Sequence, residues 1–143
     1  MSDLKISTNV FVFEADFERA KAPLTCEWFE SQLPFRTKVI HARWSGEAVW
    51  MPLGTLLSDL QPENHTVYPS RGDILFYPGG ISEAEILFTY GSAAFASTAG
   101  PLAGNHFLTI TTGRQQLQEF GRHILWNGAL DIEFEKLRIP EIS

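Results

Sequence analysis

Residues 72–91 read GDILFYPGGISEAEILFTYG, and no other stretch constrains the fold as tightly. Two short runs of aliphatic and aromatic residues, Ile74–Tyr77 and Ile86–Tyr90, are broken apart by Pro78-Gly79-Gly80. Runs of this length and composition, bounded by Pro and Gly, read as β-strands. The second is entered through Glu83 and Glu85. Side chains alternate faces along a strand, so these two carboxylates share a face with Leu87. Either they line a pocket or they mark a solvated strand end.

Strands dominate the rest of the chain. LKISTNVFVFEADF, which opens at Leu4, predicts a strand or hairpin around residues 4–15. TKVIHARW (37–44) predicts a strand, and Ser45-Gly46 then turns it into EAVWMPL as a hairpin. Residues 52–72 are interrupted by Pro and Gly and read mostly as loop, as does SAAFASTAGPLAGN (92–105). HFLTITTG and ALDIEFEKL predict two more strands. In the latter, Leu130, Ile132 and Phe134 alternate with Asp131, Glu133 and Glu135, the pattern of a half-exposed strand.

Two segments have helical spacing instead. Around residues 22–33, Leu24, Trp28 and Gln32 share one side, with Cys26, Phe29 and Leu33 beside them; Pro23 suits a first turn and Pro34 ends the run. Around 114–126, Leu117, Phe120, Ile124 and Leu125 recur at helical spacing before an Asn127-Gly128 stop. Mostly antiparallel strands with two helices predict a mainly β domain over residues 1–143, a closed barrel with its ends plugged by helices.

Composition narrows the functional classes. A net charge of −6 with no run of Lys or Arg argues against nucleic acid as a partner. No apolar stretch reaches the roughly 20 residues of a membrane helix. The first ten residues lack a basic segment followed by an apolar run, so a cytoplasmic location is expected. The single cysteine, Cys26, excludes an internal disulfide and is expected to pack as a small apolar residue. Eleven Phe and four Trp imply a core or pocket rich in rings.

The helix entry APLTCEWF (22–29) resembles the AP-x-T-x-E-x-F start of the first helix in cyclophilins. A second helix before the last strand is similar too. ENHTVYPSRGDILFYPGGISEAEILFTYG and LAGNHFLTI resemble a bacterial family of uncharacterised cyclophilin-like proteins, over nearly the whole chain. The resemblance implies a barrel of about eight strands capped by two α-helices. It does not carry an activity. Where prolyl isomerases have an F-H-R strand and a Q-G-G-D segment, this chain reads VIHARWSGEAVWMP. Arg43 falls near the place of the isomerase arginine, and the Q-G-G-D segment is missing.

Candidate site residues follow from their chemistry. If Glu83 and Glu85 face a common pocket, repulsion keeps a proton on one of them, which suits acid/base work. Glu63, His65 and Tyr68 lie in the longest loop, where binding groups concentrate; a polar surface turn is the alternative. Asn105 and His106 open a strand after a glycine-rich loop, where His106 suits a general base or a ligand role and Asn105 a turn position. Trp44 and Trp50 flank the Ser45-Gly46 turn and suit either the wall of an apolar pocket or the core. The histidines (His41, His65, His106, His123) lack metal-ligand spacing, and a His65–His106–Glu site would need the fold to gather it. No metal or cofactor is expected.

The reading that follows has Glu83, Glu85 and His106 as catalytic groups. Arg43, Trp44, Trp50, Glu63, His65, Tyr68 and Asn105 would hold a small polar ligand. The reaction would be hydrolysis or proton transfer. A prolyl isomerase is one alternative. A non-catalytic module that binds a partner chain or assembles with itself is the other.

Overall fold

The computed structural model describes residues 2–56 and 58–137. Its strands are β1 (Leu4–Ser7), β2 (Val12–Phe17), β3 (Phe35–His41), β4 (Gly46–Gly54), β5 (His65–Thr66), β6 (Asp73–Tyr77), β7 (Ala84–Ala93), β8 (Ala96–Ser97), β9 (Gly100–Pro101), β10 (Gly104–Thr112) and β11 (Leu130–Lys136). The helices are α1 (Pro23–Glu30) and α2 (Leu117–Asn127). Antiparallel pairing runs β2-β1-β11-β3-β4-β7-β6-β10, and β10 pairs back onto β2. Eight strands therefore close into a barrel, which leaves no long unpaired edge. β5 adds to β10, and β8 and β9 form a separate small hairpin.

The helices bring aromatic rings to the barrel interior. Phe29 of α1 meets Phe35, Phe107 and Phe134, while Phe120 of α2 meets Phe11, Phe13 and Phe88. Edge-to-face contacts of this kind add stabilisation beyond area burial. Cys26 lies fully buried in α1, its thiol donating to the Phe107 carbonyl at 3.4 Å. Burial pushes that thiol up to about 12, so it is an inert packing group.

Several boundaries differ from the sequence expectation. The first helix ends at Glu30 rather than at residue 33, and its C-cap is Ser31. The strand expected over 37–44 stops at His41. Ala42 donates to the Ala48 carbonyl, and Arg43–Ser45 form a 3-10 turn. The hairpin needs this tight reversal, and Gly46 completes it at φ 109°, where a Cβ would stand 2.8 Å from the Ser92 carbonyl oxygen. The loop expected over 52–72 contains the end of β4 and β5. The loop expected over 92–105 contains the end of β7, the β8–β9 hairpin and the start of β10.

The segment after β7 explains why that strand is buried on both faces. Ile86, Phe88 and Tyr90 point into the barrel core. On the outer face Leu87 belongs to a second apolar cluster with Ala42, Ala48, Leu75, Tyr77, Phe95 and Leu102, against which Trp50 packs. Phe95 and Leu102 come from the chain around β8 and β9, which thus lays a small second core over the outside of β4, β7 and β6. Glycine at 104 permits this closeness, since a Cβ there would press on the Phe95 ring and Leu75.

Candidate functional site

Glu85 lies on this covered outer face. Its cross-strand partners are Pro52 on β4 and Tyr77 on β6, and Trp50 is its diagonal neighbour through the Trp50–Leu87 pair. Only 2% of Glu85 is exposed, and its Oε2 is sealed from solvent without a hydrogen-bond partner. Burial, with the nearby Glu83 charge adding to it, pushes the carboxyl up to about 8. It is therefore a neutral acid at pH 7.

The surroundings are aromatic. Trp50 buries its Nε1, also without a partner, and Trp44 stands edge-on to it with ring centroids 5.5 Å apart. Trp44 is 51% exposed, so this wall opens to solvent. Tyr77 packs its ring against Phe95, and its hydroxyl accepts from the Ile81 amide at 3.0 Å. Glu83, just ahead of β7, is exposed and accepts from the Gly54 amide at 3.1 Å. It borders a small cavity of about 240 Å³, lined also by Gly54, Leu56, Pro78 and Ala84. The strand alternation that pairs Glu83 with Glu85 thus yields two unlike carboxyls, one solvated and one buried.

His106 is on β10, and a different set of groups holds it. Its Nε2 lies 2.8 Å from Thr109 Oγ1 and 3.3 Å from Asp73 Oδ1. The Thr109 hydroxyl donates to Glu18 at 2.8 Å, so it accepts from His106, and the ring proton sits on Nε2. In the sheet, His106 pairs with Leu75, which pairs with Leu87. Two strand spacings separate it from β7, which carries Glu85. The expected catalytic trio is not one cluster.

Asn105 and Glu63 come together in a supporting role. Asn105 is buried; it accepts from the Glu63 amide at 3.2 Å and donates to Thr25 Oγ1 at 3.0 Å and to the Gln61 carbonyl at 3.1 Å. The Glu63 carboxylate accepts from the Thr25 amide at 2.6 Å. Ala22 at the N-cap of α1 has no side chain for that task, so a loop carboxylate caps the helix from a distance. His65 and Tyr68 are exposed, as is Arg43 in its 3-10 turn.

One pair was not singled out by the sequence. His41 Nε2 lies 2.6 Å from the Tyr90 hydroxyl, and its buried Nδ1 has no partner. Burial, then the Arg43 charge, holds the imidazole below its usual value. Tyr90 sits in the strand run that reads as core, so its hydroxyl was hidden by the apolar pattern. A cavity of about 780 Å³ opens elsewhere, over Ser7, Thr8, Arg36, Lys38, Asp131 and Glu133. It holds none of the candidate residues, and its charges are paired, Lys38 with Asp131 at 2.7 Å and Arg36 with Glu133.

Among the described residues, no group of three or more His, Cys, Asp or Glu is placed to hold a metal ion. No helix among them is long and apolar enough to cross a membrane.

The chain belongs to a family described as a protein of unknown function (DUF3830), whose model matches residues 4–136. No match was found among curated proteins. Two solved structures share the barrel. McbB in complex with tryptophan is similar at TM-score 0.70 and 14% identity over 98% of this chain, which spans only 46% of McbB. The hypothetical protein AF2241 from Archaeoglobus fulgidus is similar at TM-score 0.64 and 15% identity, over 95% of each chain. Identities this low establish the shared fold alone.

Proposed function

We propose that this barrel binds a small polar molecule beside Glu85, on the outer face of β4, β7 and β6, and that Glu85 exchanges a proton with it. The observation that carries this reading is the sealed, unpartnered Oε2 of Glu85. A buried polar group without a partner costs folding free energy, and such groups are few in native chains, so each calls for a specific explanation. A carboxyl whose proton leaves near neutral pH is poised for acid/base work. Trp50 supplies an unpaired N–H donor beside it, and Trp44 supplies an accessible ring wall. Glu85 and Trp50 are the proposed first contacts, with Glu83 at the rim.

His106, polarised through Asp73 and the Thr109–Glu18 pair, is a separate basic group on the same barrel surface. Glu63 and Asn105 instead tie the start of α1 to the loop that leads into β5. The McbB structure is a complex with tryptophan. That complex is compatible with small-molecule binding in a protein containing this fold; the reading here rests on Glu85.

A thermal-shift screen of small metabolites against the protein, Glu85→Gln and Trp50→Phe tests it. Ligands that bind only the folded state raise the midpoint by mass action. The expected result is a shift in the parent that both variants lose. Shifts of equal size in all three proteins would place the ligand elsewhere.

A further inference from the structure

A separate cleft, of about 580 Å³, opens at the far end of β7 from Glu85. It is lined by Glu47 of β4, Gln118 of α2, Gly91 and Ser92 of β7, and Ser70 and Arg71 of the turn before β6. We infer that this cleft binds a small zwitterion, the size of a free amino acid, whose ammonium pairs with Glu47 and whose carboxylate pairs with Arg71. The inference does not depend on the proposed site at Glu85. Gly91 lies six positions beyond Glu85 on the same strand, roughly 20 Å away.

Both charged groups are held in place. Glu47 accepts from the Ser92 amide at 3.0 Å and from Gln118 Nε2 at 2.6 Å. Gly91 makes room for this, because a Cβ there would drive into the Glu47 carboxylate. Arg71 donates one N–H to the Arg114 carbonyl at 2.7 Å. Arg114 returns the contact, donating to the Arg71 carbonyl at 2.9 Å and to the Ile110 carbonyl at 2.8 Å. Its guanidinium lies against Gly72, at φ +89°, where a Cβ would press on it. The turn that carries Arg71 is thus tied to β10 and to the segment leading into α2.

These bonds leave capacity on both groups. Each Glu47 oxygen accepts one hydrogen bond and has room for another, and the Arg71 fork keeps most of its N–H donors. The ion pairs among the described residues involve neither of them. One space therefore faces one negative and one positive group, and neither compensates the other. A ligand with a single charge satisfies one group and is repelled by the other; a zwitterion satisfies both. A guanidinium grips a carboxylate with two parallel bonds, and an ammonium supplies the donors that Glu47 still has room for. The volume falls within the usual range of small-molecule sites, and Pro69 and Ala93 add a little apolar wall.

NMR titration of the ¹⁵N-labelled protein tests this. The probes are glycine, β-alanine, γ-aminobutyrate and ε-aminocaproate, which span increasing charge separations. Propylamine and propionate, with one charge each, are the counterparts. The expected result is saturable shifts at the Gly91, Ser92 and Gln118 amides with at least one zwitterion. Binding should be weaker by about tenfold or more for the single-charge probes, and likewise in Glu47→Gln and Arg71→Gln, each of which removes one charge-assisted contact. Circular dichroism melting confirms that both variants are folded. Glu85→Gln should bind like the parent, because it leaves the cleft intact. Propylamine or propionate binding as tightly as every zwitterion overturns the inference. So does zwitterion binding unchanged in either cleft variant, or no binding of any zwitterion at millimolar concentration. Binding lost in Glu85→Gln but kept in the cleft variants moves the ligand to the other site and overturns it too.

Discussion

Tyr77 and Glu85 stand opposite each other across β6 and β7, and the tyrosine hydroxyl is turned away to the Ile81 amide. The hydroxyl oxygen accepts from the 78–83 turn, and among the described residues no group donates to the Glu85 Oε2. The buried carboxyl links the stability of the protein to pH.

Stability should fall as pH rises through the window set by Glu85. The native state holds this proton up to about 8, whereas the unfolded chain releases it near 4.5. Between those values the native state binds more protons, so stability is lost as pH rises and levels off beyond them. At ~1.4 kcal/mol per pH unit, the contribution is on the order of a few kcal/mol. Glu85→Gln keeps the shape without an ionisable proton. Urea unfolding at pH 5, 7 and 9 should show the variant gaining on the parent with rising pH. A constant difference across the three would contradict this.

His41 should act in the opposite direction. Its imidazole is held below the usual 6.5 by burial and Arg43, so the native state resists a proton that the unfolded chain accepts. Its contribution is present above that value and is lost as pH falls below it. Replacing it with glutamine should flatten the acid side of the stability profile between pH 7 and 5, at the cost of the Tyr90 contact. A variant whose profile below pH 6.5 still parallels the parent's would rule His41 out as the cause.

Asn105→Ala should destabilise by about 1–3 kcal/mol, because it strips partners from Thr25, Gln61 and the Glu63 amide together. The damage should extend to the start of α1, since Glu63 caps that helix. Hydrogen exchange at the Thr25 amide should quicken along with the fall in stability. Retained protection there would mean that Glu63 holds its place without Asn105.

Gly121→Ala tests the contact between α2 and β7. A Cβ at that position would drive into the Tyr90 ring, which is itself buried. Overpacking of this kind costs about 1–3 kcal/mol even though alanine is the better helix former. A neutral or stabilising effect in thermal unfolding would show that the helix can shift away freely.

The barrel was legible because its strands alternate and its turns are marked. In β11, Ile132 and Phe134 are buried as the pattern predicts, and Asp131, Glu133 and Glu135 face cations on neighbouring strands: Lys38, Arg36 and Lys5. The face that Glu85 occupies was not legible. Its burial depends on Phe95 and Leu102, which arrive from a segment of small residues that reads as loop. Glu63 and Asn105 stood out as polar residues, yet their partners are Thr25, Gln61 and each other, contacts that span about 40 to 80 positions. Local spacing carries no information at that range. Asp73, Thr109 and Glu18 reach His106 for the same reason, through sheet register rather than sequence proximity.

The most direct test of the account is a titration of the Glu85 side-chain carboxyl by ¹³C NMR, assigned by comparison with Glu85→Gln. The account predicts a midpoint near 8, with the carboxyl neutral at pH 7. A midpoint near 4.5, the value of an ordinary solvated glutamate, would contradict the buried acid and with it the proposed site.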